Sequence, residues 1–538
     1  MPETKSNLLT VLCKNNSDPQ APSLVELFKT DPRRFKHYST QRKQLMFDYS
    51  RTGFDQQRLD SLIQLALDSG LDEWRRRLFD GEEVNPSEGM SADHTLLRVR
   101  RPEDSPNALG SEIQSQRKAM MALGSALNQG VMPGYAGVIT DVIHVGIGGS
   151  VLGPQLILEA LHNIDAGSVQ VHFLSSADGW RVSALMRELN PETTAVVVVS
   201  KSFSTREIRL NLQRLRTWLS VSRPGIAPED QMIAITSQNA RALAAGFRKE
   251  NTLLFPESIG GRYSLWSAVG LPIVIRYGDT IYLDLLAGAE RMDQHFADTP
   301  ATANLPVLAA LITIWHRNIC GYPAVAIIPY DTRLRLLPSW LQQLDMESAG
   351  KSVDRYGQPL EYQTSPVIFG GLGTDVQHAF FQALYQGTDT IPVEFIGVVN
   401  NDSNDPQNNR HVRFQLANLI GQANALAFAS QSQTGVSSGS GSSLHRQFSG
   451  NRPSTVMLLE TLDAGTLGEL LAFYEHRVFV QSVVWGNNPF DQYGVEFGKE
   501  LSTQVGEFLE AATSAGDADN LNEGDSLLDW VVTKLRKK

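Results

Sequence analysis

Positive charge is in short supply in this chain. Its 47 Lys and Arg stand against 58 Asp and Glu, for a formal net charge of -11 over 538 residues. An acidic chain without a basic stripe is a poor partner for nucleic acid or an anionic membrane. Any anionic ligand must be held by a local cluster of donors. Cysteine is scarcer still, with Cys13 and Cys320 alone. Two thiols build neither a disulfide framework nor a cysteine-based metal site, and they fit a reducing compartment. No apolar run approaches transmembrane length. The start, MPETKSNLL, has no charged region followed by an apolar core. A cytoplasmic location is expected.

The hydrophobic fraction of 42% and charged fraction of 20% are those of an ordinary globular protein. The length is too great for one core, so two or more domains are expected. The first hundred residues are charged and mostly helical in pattern. LDSLIQLALDSGLDEWRRRLF (59–79) reads as one or two amphipathic helices. From about 140 the texture changes. DVIHVGI (141–147), TTAVVVVS (193–200) and QMIAITS (231–237) are short apolar runs, separated by the helical patterns QLILEALHNI and TREIRLNLQRLRTWL. Buried strands alternating with helices indicate a doubly wound parallel sheet.

The pattern then restarts. PAVAIIPY (323–330), SPVIFGGLG (365–373) and IPVEFIGVV (391–399) alternate with VLAALITIWHRNI, WLQQLDMES and VQHAFFQALYQG. The expectation is an α/β protein with two three-layer α/β/α parallel-sheet domains. An N-terminal helical arm (1–110) precedes them, packed on the larger domain. The domains occupy 111–288 and 289–512, and an acidic linker with a last amphipathic helix fills 513–538. SSGSGSS (437–443) reads as a low-complexity insert.

Two loops follow strands and open helices. Gly146-Ile147-Gly148-Gly149-Ser150 lets a ligand approach the backbone closely at the positive end of a helix. A plain tight turn explains it equally well. It has neither the dinucleotide glycine spacing nor the Lys-Ser/Thr ending of a P-loop. Ser200-Lys201-Ser202-Phe203-Ser204-Thr205 collects four hydroxyls and one ammonium at a helix start. That set suits a monophosphate, which takes several donors and one compact positive charge. The competing reading is an N-cap, but one cap needs one hydroxyl.

Four further side chains draw notice. In LPSWLQQLDMESAGKS, helical spacing puts Glu347 on one face with Trp340 and Leu344. A carboxylate on a buried face needs a partner or a task. A surface Glu in an irregular pattern remains the alternative. Arg262 lies between a glycine pair and an apolar SLWSAVG run, suited either to an oxyanion or to a salt bridge between domains. His378 falls in the first turn or two of the predicted helix in GTDVQHAFFQAL, where a neutral imidazole can relay protons or simply be satisfied in the fold. Gln492 and Lys499 lie seven apart, on one face of a helix. Lys499 suits a pocket or solvent.

Taken in order, GIGGSVLGP, SKSFSTREI, GGRYSLWSAVGLP, LPSWLQQLDMESAGKS, GTDVQHAFFQALYQGTD, FSGNRPS and FDQYGVEFGKEL resemble the motifs of the glucose-6-phosphate isomerase family. GGRYSLWS and FDQYGVEFGK are the most specific of these. The likeness runs from about 140 to 502. It implies two SIS-type sugar-phosphate domains, a homodimer, no metal and no cofactor. It implies reversible conversion of glucose 6-phosphate and fructose 6-phosphate. On this resemblance Glu347 corresponds to the catalytic base, and Arg262 to the group that stabilises an enediolate. His378 and Lys499 correspond to ring-opening groups, with His378 donated by the neighbouring subunit. Ser200, Lys201, Ser202 and Thr205 match the phosphate loop, Gly149 and Ser150 the sugar-contacting turn, and Gln492 a substrate contact.

Departures from the family pattern are Ser202 and Ser204 where threonine is usual, Arg206 for glutamine, Val151 where an acid is frequent, and Ala349 for asparagine. None removes a proposed catalytic group. An isomerase for another hexose 6-phosphate, or a sugar-phosphate sensor without catalysis, would share the phosphate loop. A sensor has no need of Glu347, Arg262, His378 and Lys499 together.

Overall fold

The structure is a computed structural model that describes residues 22–105, 107–222, 227–400, 405–432, 445, 447–514 and 526–536. Cys13, the 437–443 insert and most of the acidic stretch 512–526 lie outside the described residues. Residues up to Phe490 form one compact unit, and Asp491–Lys538 a second. Among the described residues no helix is long and apolar enough to cross a membrane.

The strands, in chain order, are β1 (Ser39–Arg42), β2 (Leu45–Asp48), β3 (Asp141–Val145), β4 (Gln170–Leu174), β5 (Thr194–Val199), β6 (Met232–Thr236), β7 (Thr252–Leu254), β8 (Ala324–Pro329), β9 (Val367–Gly370), β10 (Val393–Val398) and β11 (Ser454–Leu459). Every residue of β5 is buried, as a β-branched run between two covered faces must be. It lies at the centre of a five-stranded parallel sheet ordered β4-β3-β5-β6-β7. The second sheet is ordered β1-β2-β11-β10-β8-β9. Its four later strands are parallel, and in the same relative order as β4-β3-β5-β6. The expected pair of related α/β layers is therefore present.

The arm departs from its helical reading. It contains the two expected helices, Gln56–Asp68 and Leu71–Phe79. It also contains the β1–β2 hairpin, whose β2 pairs antiparallel with β11 and so extends the second sheet. That pairing joins residues some four hundred apart in sequence and leaves no local signature. The expected 288/289 position lies in the helical stretch Leu271–Asp298, which is interrupted at Gly278.

Alternation along the strands divides the core. Val197, Ile235, Ile327 and Ile396 face one shared central cluster, while Val196, Ala234, Ile328 and Phe395 face the outer clusters. The central layer holds the helices Leu271–Asp298 and Ala464–Trp485. They approach so closely that a Cβ on Gly288 would overlap the Gly465 carbonyl. The second of these helices is buried along its whole length. Its charges are paired: Arg477 reaches Asp345 and Glu394, both at 2.7 Å, and His476 reaches Asp293 at 2.7 Å. Breaking one partner of such a pair strands a buried charge, which costs about 3–5 kcal/mol.

Candidate active site

The sheet order locates the first half of the site. In the first sheet β4 lies on one side of β3 and β5 on the other, so the winding direction reverses between β3 and β5. Ligands in open parallel sheets bind at the carboxyl ends of the strands at such a reversal. The loops leaving β3 and β5 there are the Gly148–Ser150 turn and the 200–205 loop.

The 200–205 loop is held in shape from behind. The buried Ser200 Oγ accepts the Phe203 N–H at 3.1 Å and lies 3.5 Å from Thr205 Oγ1. Phe203 has φ +53, a left-handed conformation costly for an aromatic residue. The Ser200 bond and an edge-on contact of its ring with Phe247, centroids 5.4 Å apart, hold it there. Thr236 Oγ1 and Arg241 Nη1 donate to the carbonyls of Lys201 and Ser202 at 3.0 and 2.8 Å. Ser202 and Ser204 are exposed, their hydroxyls 2.8 Å apart. The helix Arg206–Ser222 starts immediately after Thr205.

The turn after β3 is tied to its strand by the buried His144, whose Nε2 donates to the Ser150 carbonyl at 2.8 Å. Burial pushes the His144 imidazole down to about 4. The ring is therefore neutral, and its other nitrogen faces no partner. Gly149 lies directly on the backbone of Gly261 and Arg262, where a Cβ would overlap the Gly261 carbonyl. Gly148, at φ +59, lies against the side-chain amide of Gln343. A glycine-rich turn is needed here for close approach to protein as well as to ligand.

Glu347 comes from the second layer. The helix Leu337–Leu341 widens into a π-helical turn, Gln342–Glu347. The wider turn rotates Glu347 away from the Trp340–Leu344 stripe to its edge. Trp340 and Leu344 are buried as expected, whereas the Glu347 side chain keeps 15% of its exposure. The simple helical face expected from spacing is corrected in this way. Asp345, two residues earlier, is the fully buried carboxylate of the turn, and burial raises its pKa against the lowering effect of Arg477. Glu347 Oε2 accepts the Gln343 amide at 2.9 Å and stands 3.6 Å from Arg262 Nη1.

Arg262 is buried and fixed on its other sides. Its Nε donates to Ser348 Oγ at 2.6 Å and its Nη2 to the Pro489 carbonyl at 2.5 Å. Tyr263 adds a hydroxyl 3.0 Å from Ser348 Oγ, and burial pushes its phenol up, so it keeps its proton. A partly open carboxylate, an immobilised guanidinium and a glycine turn thus gather where the two layers meet, and the hydroxyl-rich loop leaves the strand next to that of the glycine turn.

The phosphoglucose isomerase family profile matches residues 48–525. The chain is 41% identical over 517 residues to glucose-6-phosphate isomerase of Ectopseudomonas mendocina, covering 93% of each chain. It is 39% identical over 516 residues to that of Shewanella halifaxensis, covering 92% of this chain and 93% of the relative. A crystal structure of a glucose-6-phosphate isomerase from Chlamydia trachomatis superposes with a TM-score of 0.82 at 28% identity, covering 98% of both chains. The chain belongs to the phosphoglucose isomerase family.

Of the residues in the first unit that the phosphoglucose isomerase resemblance singled out, His378 does not gather at this seam. The expected helix around His378 is two short ones, Gly373–Gln377 and Phe381–Gln386, and His378 closes the first. Val376 and Phe381 both enter the outer core of the second sheet. An unbroken helix would point them about 140° apart, so the break between them lets both reach the sheet. His378 is exposed on that outer side, while the Glu347 turn packs on the inner side of the same sheet. Gln492 and Lys499 belong to the second unit. Gln492 caps the helix Tyr493–Ser514 with its carbonyl, and Lys499 is exposed on that helix.

Sequence reading passed over Gln343, Ser348, Lys351 and Pro489. Gln343 and Lys351 had a local signal, each four residues from Glu347, and Ser348 follows it directly. Pro489 is brought in by chain folding.

Proposed function

We propose that the chain interconverts glucose 6-phosphate and fructose 6-phosphate through a cis-enediolate, with Glu347 as the general base. The observation that carries this reading is Glu347 Oε2 at 3.6 Å from a guanidinium that is otherwise tied to Ser348 and Pro489. A base beside a fixed cation is the pair that proton abstraction next to a carbonyl requires. The phosphate is held by Ser200, Lys201, Ser202 and Thr205, and the sugar lies against Gly149 and Ser150. With His378 and Lys499 as the relay, the ring oxygen gains a proton and the C1 hydroxyl loses one, as the ring bond to C1 breaks and the C1 carbonyl forms. Gln492 contacts the substrate. Glu347 takes the proton from C2, and the C2–H pair becomes the C1–C2 double bond. The negative charge gathers on the former carbonyl oxygen, facing Arg262. A proton passes from the C2 hydroxyl to O1, the freed O2 pair forms the C2 carbonyl, and the C1–C2 double-bond pair takes the proton that Glu347 returns to C1. No electrons are gained or lost overall.

The exposure of His378 on the far side of the second sheet supports its donation to the site of a neighbouring subunit, and with it a homodimer. A cytoplasmic setting in glycolysis and gluconeogenesis follows from the same reading. The test is Glu347→Gln. Turnover of fructose 6-phosphate falls by at least about 10²-fold, the lower range of general-base contributions, while a competitive sugar-phosphate inhibitor still binds. A variant with near-wild-type kcat would remove Glu347 from the role.

A further inference from the structure

Lys351 has no part in the chemistry above, yet it touches the segments that carry it. Its side chain is half-buried and its ammonium points back at the end of the Glu347 turn. It donates to the Ser348 carbonyl at 2.6 Å, to the Asn488 carbonyl at 2.5 Å and to the Glu347 carbonyl at 3.3 Å. These three bonds run to backbone oxygens, which suits an ammonium with its three donors. The last carbonyls of a helix have no partner within it, so a cation there is an ordinary stabiliser.

What sets this cation apart is the course of the bonds around it. Asn488 precedes Pro489, and Pro489 is the residue whose carbonyl takes Arg262 Nη2. Ser348, whose carbonyl takes Lys351, is the residue whose hydroxyl takes Arg262 Nε. The path therefore closes: Ser348 to Arg262, to Pro489, to Asn488, to Lys351, and back to Ser348. Asn487 reinforces it by donating to the Ala349 carbonyl at 3.0 Å. The 487–490 strap is itself held by Asn488 Nδ2, which donates to Asn85 Oδ1 and Ser87 Oγ, both at 2.7 Å. Arg262 is a member of this ring, and Glu347 directly precedes its Ser348 and accepts from Lys351 through its carbonyl. Without Lys351 the ring opens between Ser348 and Asn488.

We infer that Lys351 is a positioning residue that sets the separation of Glu347 and Arg262 by closing this ring. The inference rests on the reading of those two residues as base and enediolate stabiliser. The Lys351 bonds to the Glu347, Ser348 and Asn488 carbonyls lie outside the phosphate loop and the glycine turn, so substrate binding is expected to change little. A base displaced by about 1 Å costs on the order of 10²-fold in rate.

The experiment compares Lys351→Met, of nearly the same length without donors, with wild type and Glu347→Gln, using fructose 6-phosphate. Lys351→Met is expected to lower kcat about 10²-fold with KM within about twofold. Lys351→Arg, which restores a cation and donors, is expected to recover part of that loss. A Met variant with kcat within twofold of wild type overturns the inference, and so does a loss that appears in KM. If Lys351→Met does not fold, Lys351→Gln carries the same readout. An active Glu347→Gln would instead overturn the reading of the base, which separates the two failures.

Discussion

Arg262 and Glu347 meet at 3.6 Å although they lie on different layers and are separated by more than eighty residues of chain. The guanidinium is held by a hydroxyl and a carbonyl, and the carboxylate by the amide of Gln343. The pair is built so that the cation cannot turn and the base keeps an open side.

Arg262→Lys keeps the charge and loses the geometry. A lysine's donors all sit on one compact ammonium, which cannot span Ser348, Pro489 and Glu347 as the planar guanidinium fork does. The expected result is a kcat lower by about 10²–10³-fold, the range for removal of an oxyanion donor. KM for fructose 6-phosphate changes little. Steady-state kinetics decide this, with circular dichroism to confirm folding.

Gly149→Ala places a methyl group on the Gly261 carbonyl. The turn after β3 and the Arg262 turn must separate to admit it. Overpacking of this kind costs about 1–3 kcal/mol. A lower melting temperature and a fall in kcat are expected together, because the shift moves Arg262. Gly261→Ala is the control, since nothing stands within 4 Å of its added Cβ.

Acid stability reports on His144. Its folded value of about 4 lies below the ordinary 6.5 because the ring is buried. Between those values the unfolded chain binds a proton that the folded chain refuses. The contribution is complete above pH 6.5 and is lost as the pH falls toward 4, to the extent of roughly 3 kcal/mol. Half-buried His295, pushed down to about 4, and buried His316, to about 3, act in the same direction. The readout is therefore a difference. His144→Asn keeps an N–H donor for Ser150 without a titrating ring, and its denaturation midpoint should fall less steeply than that of wild type over this window.

Subunit complementation tests the placement of His378. Glu347→Gln and His378→Ala chains are each expected to be inactive alone. If His378 serves the neighbouring site, mixed dimers contain one site with both groups intact. Random reassortment then restores about a quarter of wild-type activity. No recovery after verified subunit exchange would place His378 in its own chain's site or in none.

Much of the layout was legible from local pattern. The runs ending at Val145, Val199, Thr236, Pro329 and Val398 are strands because β-branched residues buried on both faces suit nothing else. The loops after β3 and β5 could be picked out because glycine and clustered hydroxyls at helix starts have a local physical meaning. The strand β11 and the hairpin β1–β2 were missed; β1 pairs locally with β2, but the pairing of β2 with β11 that puts the hairpin in the sheet joins residues some four hundred apart. His378 was placed at a helix start because the pattern through VQHAFFQAL looks continuous. The break appears only when Val376 and Phe381 must both face the sheet.

The sequence by itself determined which residue types were available and at which strand ends they would emerge, because those depend on contacts within a few residues. It carried Glu347, Arg262 and the phosphate loop as separate candidates. Only the tertiary structure decided their relation. The winding reversal between β3 and β5 puts the two loops side by side, and the π-helical turn swings Glu347 to the edge of its buried stripe. The 487–490 strap brings two carbonyls to Arg262 and Lys351. Each of these joins residues far apart along the chain, and such proximity is set by how sheets and helices pack, which no short pattern records.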